Sequence, residues 1–252
     1  MRFRFNNYAL MVILSLMSSC LESDIGAQNG TAGIGGSLAR FAINGQRMYV
    51  ATSNTLNVFD ISSNNFKELN KIDVGFGLET IFAKGEYLYL GSRDAMFIFS
   101  ISNPDLPSLL FRYAHITSCD PVVVQGNKAY VALSSGSTCN LGTNALEIID
   151  ITDPLNPSLI ANFPMTSPGG LGIDGNCLFV CEGVNGLKML NVENPLDIKL
   201  VNEITNINAY DVIVGDGYLK LTGQDGIMQY SYSCSSMEMT LLSKIPVERE
   251  TY

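Results

Sequence analysis

The sequence predicts an all-β protein: a β-propeller of about five four-stranded blades, preceded by a signal peptide and a flexible tether. Three observations predict it. First, a glycine recurs as Gly45, Gly85, Gly126, Gly175 and Gly215, at spacings of 40, 41, 49 and 40 residues. A period near 40 residues with several short strands per unit is that of a propeller blade. Second, each of the first four glycines leads into a strand carrying an aromatic residue: Met48-Tyr49-Val50, Leu88-Tyr89-Leu90, Ala129-Tyr130-Val131 and Leu178-Phe179-Val180. The last copy, Tyr218-Leu219-Lys220-Leu221, is shifted by one residue, which predicts an insertion in its turn. Third, the segment Leu146 to Ile151 is apolar on both faces, as in a sheet sandwiched between neighbouring sheets. Helical solenoids are excluded by the β-branched and aromatic content and by Gly/Pro punctuation every eight to twelve residues.

The repeat is clearest in Ala145 to Phe163. Ile148-Ile149-Asp150-Ile151 is followed by Asp153-Pro154 and Asn156-Pro157. Its counterparts are Asn57-Val58-Phe59-Asp60-Ile61, Phe97-Ile98-Phe99-Ser100-Ile101, Lys188-Met189-Leu190-Asn191-Val192 and Met228-Gln229-Tyr230-Ser231-Tyr232. The trailing Asn/Asp-Pro recurs as Asn103-Pro104 and Asn194-Pro195. The set resembles the LVIVD repeat, known as an architecture of undefined role, over roughly residues 37 to 247. It places the repeats at about 37–76, 77–117, 118–167, 168–207 and 208–252. Repeat three is longer by about nine residues, in a polar loop between Ser134 and Asn144. The chain enters on an inner strand, Leu38 to Ile43, and leaves on an outer one, Thr240 to Val247. Ring closure is therefore expected by packing of blade one against blade five and not by a shared sheet. Asp60 and Asp150 end a strand before a turn, which predicts a structural Asx role.

Residues 1–19 read as a lipoprotein signal peptide, with Arg2 and Arg4 ahead of an apolar run, Tyr8 to Leu16, too short to span a bilayer. Leu16-Met17-Ser18-Ser19-Cys20 resembles a bacterial lipobox, with Met17 where a branched aliphatic residue is usual. That implies lipidation at Cys20 and attachment to a membrane surface through the lipid alone. Residues 20–36 are rich in Gly, Asn and Ala and read as a tether. The expected location is the bacterial cell envelope, at an outer membrane or cell surface.

About 215 residues remain, one domain's worth. Without Arg2 and Arg4, 13 basic residues face 24 acidic ones, a net charge of 13 − 24 = −11. Such a surface repels nucleic acid and anionic headgroups and is compatible with cationic ligands. A monomer is expected, its partner an envelope protein or a glycan. No cofactor or metal motif is present; Cys177 and Cys181 lack a CxxC spacing and a neighbouring histidine.

Two sets of loops share one face of a propeller, and the unusual residues of this chain gather there. The candidate ligand face comprises Arg40, Glu79, Arg93, His115, Asp120, Glu182, Tyr210 and Asp211. Phe76, Tyr113 and Phe163 lie near the same loops, as stacking platforms or as core. Cys119 and Cys139 fall in two loops of blade three and are expected to form a disulfide; free thiols or a metal pair with His115 are the alternatives. Cys177 and Cys181 are about 13 Å apart along one strand, too far to pair with each other. They read as buried small residues, and Cys234 as unpaired at the opposite end of the molecule.

No catalytic residue is assigned. His115 is the sole histidine and no nucleophile elbow is present. Two functions are weighed: a binding or scaffold module at the cell envelope, and a glycan hydrolase using Glu79, Asp120 or Asp211. The second requires two carboxylates converging at about 5–9.5 Å.

Overall fold

The computed structural model describes residues 36–114, 121–135 and 144–247, which belong to one compact unit spanning residues 32–252. They form five four-stranded antiparallel sheets and no helix. Blade one holds β1 (Phe41–Asn44), β2 (Arg47–Ala51), β3 (Thr55–Asp60) and β4 (Lys67–Asp73). Blade two holds β5 (Leu78–Lys84), β6 (Tyr87–Ser92), β7 (Ala95–Ser100) and β8 (Ser108–Ala114). Blade three holds β9 (Val122–Gln125), β10 (Lys128–Leu133), β11 (Ala145–Asp150) and β12 (Ser158–Pro164). Blade four holds β13 (Leu171–Asp174), β14 (Cys177–Cys181), β15 (Leu187–Asn191) and β16 (Lys199–Ile204). Blade five holds β17 (Ala209–Gly215), β18 (Tyr218–Gly223), β19 (Gly226–Ser233) and β20 (Glu238–Pro246). The first strands of successive blades, β1, β5, β9, β13 and β17, pack side by side in that order around the axis.

The same local chemistry builds each blade. A two-residue turn joins the first two strands in all five, pairing Asn44 with Arg47, Lys84 with Tyr87, Gln125 with Lys128, Asp174 with Cys177 and Gly215 with Tyr218. In blades one to four its first residue is the recurrent glycine, in the left-handed region. In blade five Asp216 takes that place at φ 55°, followed by Gly217. The expected insertion is therefore absent: the anchor is Asp216, an aspartate in a conformation that Asp tolerates better than most residues.

The third strand ends in an Asx turn. Asp60 Oδ1 accepts the Ser62 N–H and Asp150 Oδ1 the Thr152 N–H, with Asn191 doing the same for Glu193. Hydrogen bonds from the side chains of Ser62 and Thr152, joined by those from their N–H groups, hold the Asp60 and Asp150 carboxyls below their ordinary value. The Asn/Asp-Pro pairs then make a second turn. The side chains of Asn103, Asp153 and Asn194 each accept the N–H two residues on, and their carbonyls accept the N–H three residues on. Proline at the next position presets the turn. One β-bulge recurs at the same place in all five blades, between Val58 and Phe59, Ile98 and Phe99, Ile148 and Ile149, Met189 and Leu190, and Gln229 and Tyr230.

Four hydrophobic clusters fill the four junctions between consecutive blades. Each buries an aromatic ring from a second strand: Tyr49, Tyr89, Tyr130 and Phe179. Burial pushes the Tyr49 and Tyr89 phenols up to about 12. Polar ties cross the same junctions. Tyr49 donates to Pro104 O, and Arg47 pairs with Asp105, both in the turn of blade two. At the last junction Cys177, which holds the place of Arg47, forms a disulfide with Cys234 in the corresponding turn of blade five. The expectation that Cys177 and Cys234 are unpaired is overturned. Cys181 is a buried free thiol, as expected.

No fifth cluster joins blade five to blade one among the described residues, so the expected closure by face-to-face packing is also corrected. The reason is chemical. At the places of Tyr49, Ala51 and Val58, blade five carries Lys220, Thr222 and Gln229, and Lys220 and Thr222 are exposed. The link across this end is made instead by the leader, Gly36 to Arg40, lying over the axis. Ser37 accepts the Leu171 N–H at 2.5 Å and donates to Asp211 Oδ1; Leu38 N–H points at Asp211 Oδ2; Ala39 O accepts from Ile81 and Arg40 O from Ala51. The fit needs glycine at two positions. A Cβ on Gly36 would stand 2.1 Å from Asp211 Oδ2, and one on Gly170 2.3 Å from Asp211 Oδ1.

Candidate functional site

The loop face is described except for residues 115–120 and 136–143, so His115, Asp120 and the Cys119–Cys139 pair lie outside the described residues, as does Cys20. The remaining candidates divide into an axial group, a buried ion pair and a rim cleft.

At the axis, Arg40 and Glu79 line a mouth of about 290 Å³ with Leu38, Thr80, Pro121, Ser134, Pro168 and Gly169. Leu38 belongs to the leader, so the mouth has a floor of chain. Asp211 does not line it; its carboxylate is spent beneath the leader on Ser37, Leu38 and Val212. Burial raises the Asp211 pKa, and the hydrogen bonds it accepts oppose that rise. Burial likewise pushes the thiol of Cys181 well up. Tyr210 beside Asp211 is exposed.

Glu182 is fully buried and has a structural duty. Oε1 accepts the Thr166 and Ser167 N–H groups, and Oε2 meets Lys188 Nζ at 2.5 Å. This pair fastens the loop entering blade four to β15.

The rim cleft lies where the blade one to two loop meets blade two. Its walls are Val74, Gly75, Phe76, Arg93, Asp94, Phe97 and Arg112, enclosing about 390 Å³. Gly75 and Gly77, both in the left-handed region, flank Phe76 and turn it outward, so that it is 76% exposed. The loop is held by backbone bonds from Val74 to Asn54 O and from Gly77 and Leu78 to Ser53 O. Arg93 lies over the Phe76 ring at 5.4 Å and pairs through Nε with Glu79 at 3.2 Å. Arg112 lies over Phe97 at 5.7 Å and pairs through Nη2 with Asp94 at 2.6 Å. The sequence reading named Phe76 and Arg93 but missed Asp94 and Arg112 as partners. The signal was the register of β7 and β8, which sets Arg112 opposite Phe97, next to the Arg93-Asp94 turn.

Residues 35–65, 79–115 and 118–164 match the LVIVD repeat family. The chain is a β-propeller that carries LVIVD repeats. The match falls in blades one to three, and the same β-bulge recurs in blades four and five. No curated protein matches the sequence. Solved structures share its fold at low identity. A functionally unknown protein from Desulfotomaculum acetoxidans has a TM-score of 0.68 at 12% identity, over 86% of this chain and 70% of its own. A Bacteroides fragilis protein with a provisional 6-phosphogluconolactonase assignment scores 0.66 at 15%, over 82% and 70%. BamB from Moraxella catarrhalis scores 0.55 at 11%, over 73% and 55%. These likenesses speak to the fold alone.

Proposed function

We propose that this LVIVD propeller is an exported, lipid-anchored binding module of a bacterial cell envelope, meeting its ligand on the loop face. The observation that carries the reading is how the polar groups of that face are used. Glu79, Glu182 and Asp211 are committed to Arg93, Lys188 and the leader. The rim cleft beside Phe76 keeps an open wall and an exposed ring. A glycan hydrolase would need two free carboxylates facing one substrate, and Glu79 and Asp211 do not line a common mouth. A lactonase reading, suggested by the Bacteroides fragilis neighbour, has only the fold behind it. Export is supported by the Cys20 segment and by the Cys177–Cys234 disulfide, a bond at home in an oxidising compartment.

Two experiments test the reading. Cell fractionation should find the protein in the membrane fraction and Cys20→Ala released from it; equal partition of both sinks the anchor. Envelope polysaccharides and peptidoglycan fragments, screened by thermal shift on the full chain, should raise the melting midpoint for one class. A screen with no shift at all removes the binding role.

A further inference from the structure

Resting on the binding reading, we infer that the rim cleft is a site for a ring bearing a carboxylate, with the uronate unit of an acidic polysaccharide as its natural class. Two guanidinium groups and one outward phenyl ring define it. Arg93 uses Nε for Glu79, and its two terminal nitrogens have no partner among the described residues. Arg112 uses Nη2 for Asp94, and its Nε and Nη1 have none among them. A guanidinium offers five N–H donors in a plane, so one-toothed pairs leave a fork able to take a second oxyanion. Both guanidinia lie over ring faces, Phe76 and Phe97, which restricts where they can move before any ligand arrives.

Phe76 supplies the other half. Arg93 covers one face of its ring, and the ring remains 76% exposed. A sugar ring lays its C–H face on such a surface while its carboxylate reaches the arginines. Neutral sugars lack the second contact, and small inorganic anions lack the first. The cleft's volume of about 390 Å³ suits one or two such rings. The backbone bonds from Gly77 and Leu78 to Ser53 hold the loop in place, so little ordering is required on binding. The net charge of −9 opposes an anion at long range, but salt screens it beyond about 8 Å. Within that distance the cleft presents two guanidinia, Arg93 paired with Glu79 outside the lining and Arg112 paired with Asp94 in the cleft wall.

The test is calorimetric titration of the purified full-length chain with trigalacturonate and with its methyl ester, two probes with the same sugar rings whose carboxyls are ionised in one and methyl-capped and neutral in the other. The acid should bind at least about tenfold tighter than the ester, and added salt should erode the difference. Arg93→Ala and Arg112→Ala should each weaken the acid about tenfold and leave the ester unchanged. Phe76→Ala should weaken both. Arg112→Lys, which keeps the charge and loses the fork, should fall between wild type and alanine. Melting midpoints within about 2–3 °C of wild type certify that the variants fold. Equal binding of acid and ester, with the arginines silent, overturns the anionic class while the binding reading stands. Binding of neither probe, or binding untouched by all three cleft variants, overturns this site. The binding reading itself falls only if the envelope screen is also empty.

Discussion

The junction between blades four and five and the outward face of blade five are two sides of one sheet. On the inner side, Leu219, Leu221, Met228 and Tyr230 bury against Phe179, Leu187 and Met189, with the Cys177–Cys234 disulfide across the seam. On the outer side, Lys220, Thr222 and Gln229 stand at places that blades one to four fill with aromatic, small and aliphatic residues. The sheet geometry is the same on both sides. What differs is whether a neighbour covers it, and most of the central side chains follow that difference, although Ile227 and Ile245 stay exposed on the outer side. Repeat arrays need such polar ends to stay soluble, because each unit otherwise asks for another to stack on it.

The comparison can be broken at several points. Phe179→Ala should cost about 4 kcal/mol in denaturant unfolding, since it removes a fully buried ring from a filled junction. Cys234→Ser should cost a comparable amount, about 4 kcal/mol for a 57-residue separation, and reductant should lower wild type to the same midpoint. A variant as stable as oxidised wild type would mean that packing alone holds this seam. Lys220→Ala, the outward counterpart of the Phe179 change, should stay within about 0.5 kcal/mol. A loss matching that of Phe179→Ala would show that blade five is covered in solution.

Asp211 gives a pH test of the same end. Its folded pKa is raised by burial, so the folded state holds its proton more tightly than the unfolded chain. Stability should therefore decline as pH rises from the ordinary carboxyl value of 3.8 through the raised folded value. Asp60, Asp150 and Asp153, lowered by hydrogen bonds, act in the opposite direction and lose their contribution as pH falls. The difference between wild type and Asp211→Asn across that range isolates the one group. An unchanged slope would place the leader contacts outside the titration.

Much of the fold was legible in the sequence because it rests on local chemistry. The Asn/Asp-Pro turns of blades two to four, the Asx residues of blades one, three and four and the aromatic second strands of blades one to four recur along the chain, and a repeat is visible without a third dimension. Apart from the blade-five turn, where Asp216 takes the glycine's place, the failures cross between units. Cys177 and Cys234 meet because the start of one blade's second strand faces the next blade's turn, the route that Arg47 takes to Asp105. One such pair, recognised, predicts the other. Asp211 was read as a residue of the loop face, but nothing local says that Ser37, 174 residues away, lies on it. The rim cleft was half seen: Phe76 and Arg93 are close in sequence, whereas Arg112 arrives through strand pairing.

The leader has a mechanical consequence. A pull applied upstream of Gly36 is delivered to the axis, through Ser37 to blades four and five and through Ala39 to blade two. Under load those few hydrogen bonds take the force first, and it then passes to β1, the strand that the leader enters.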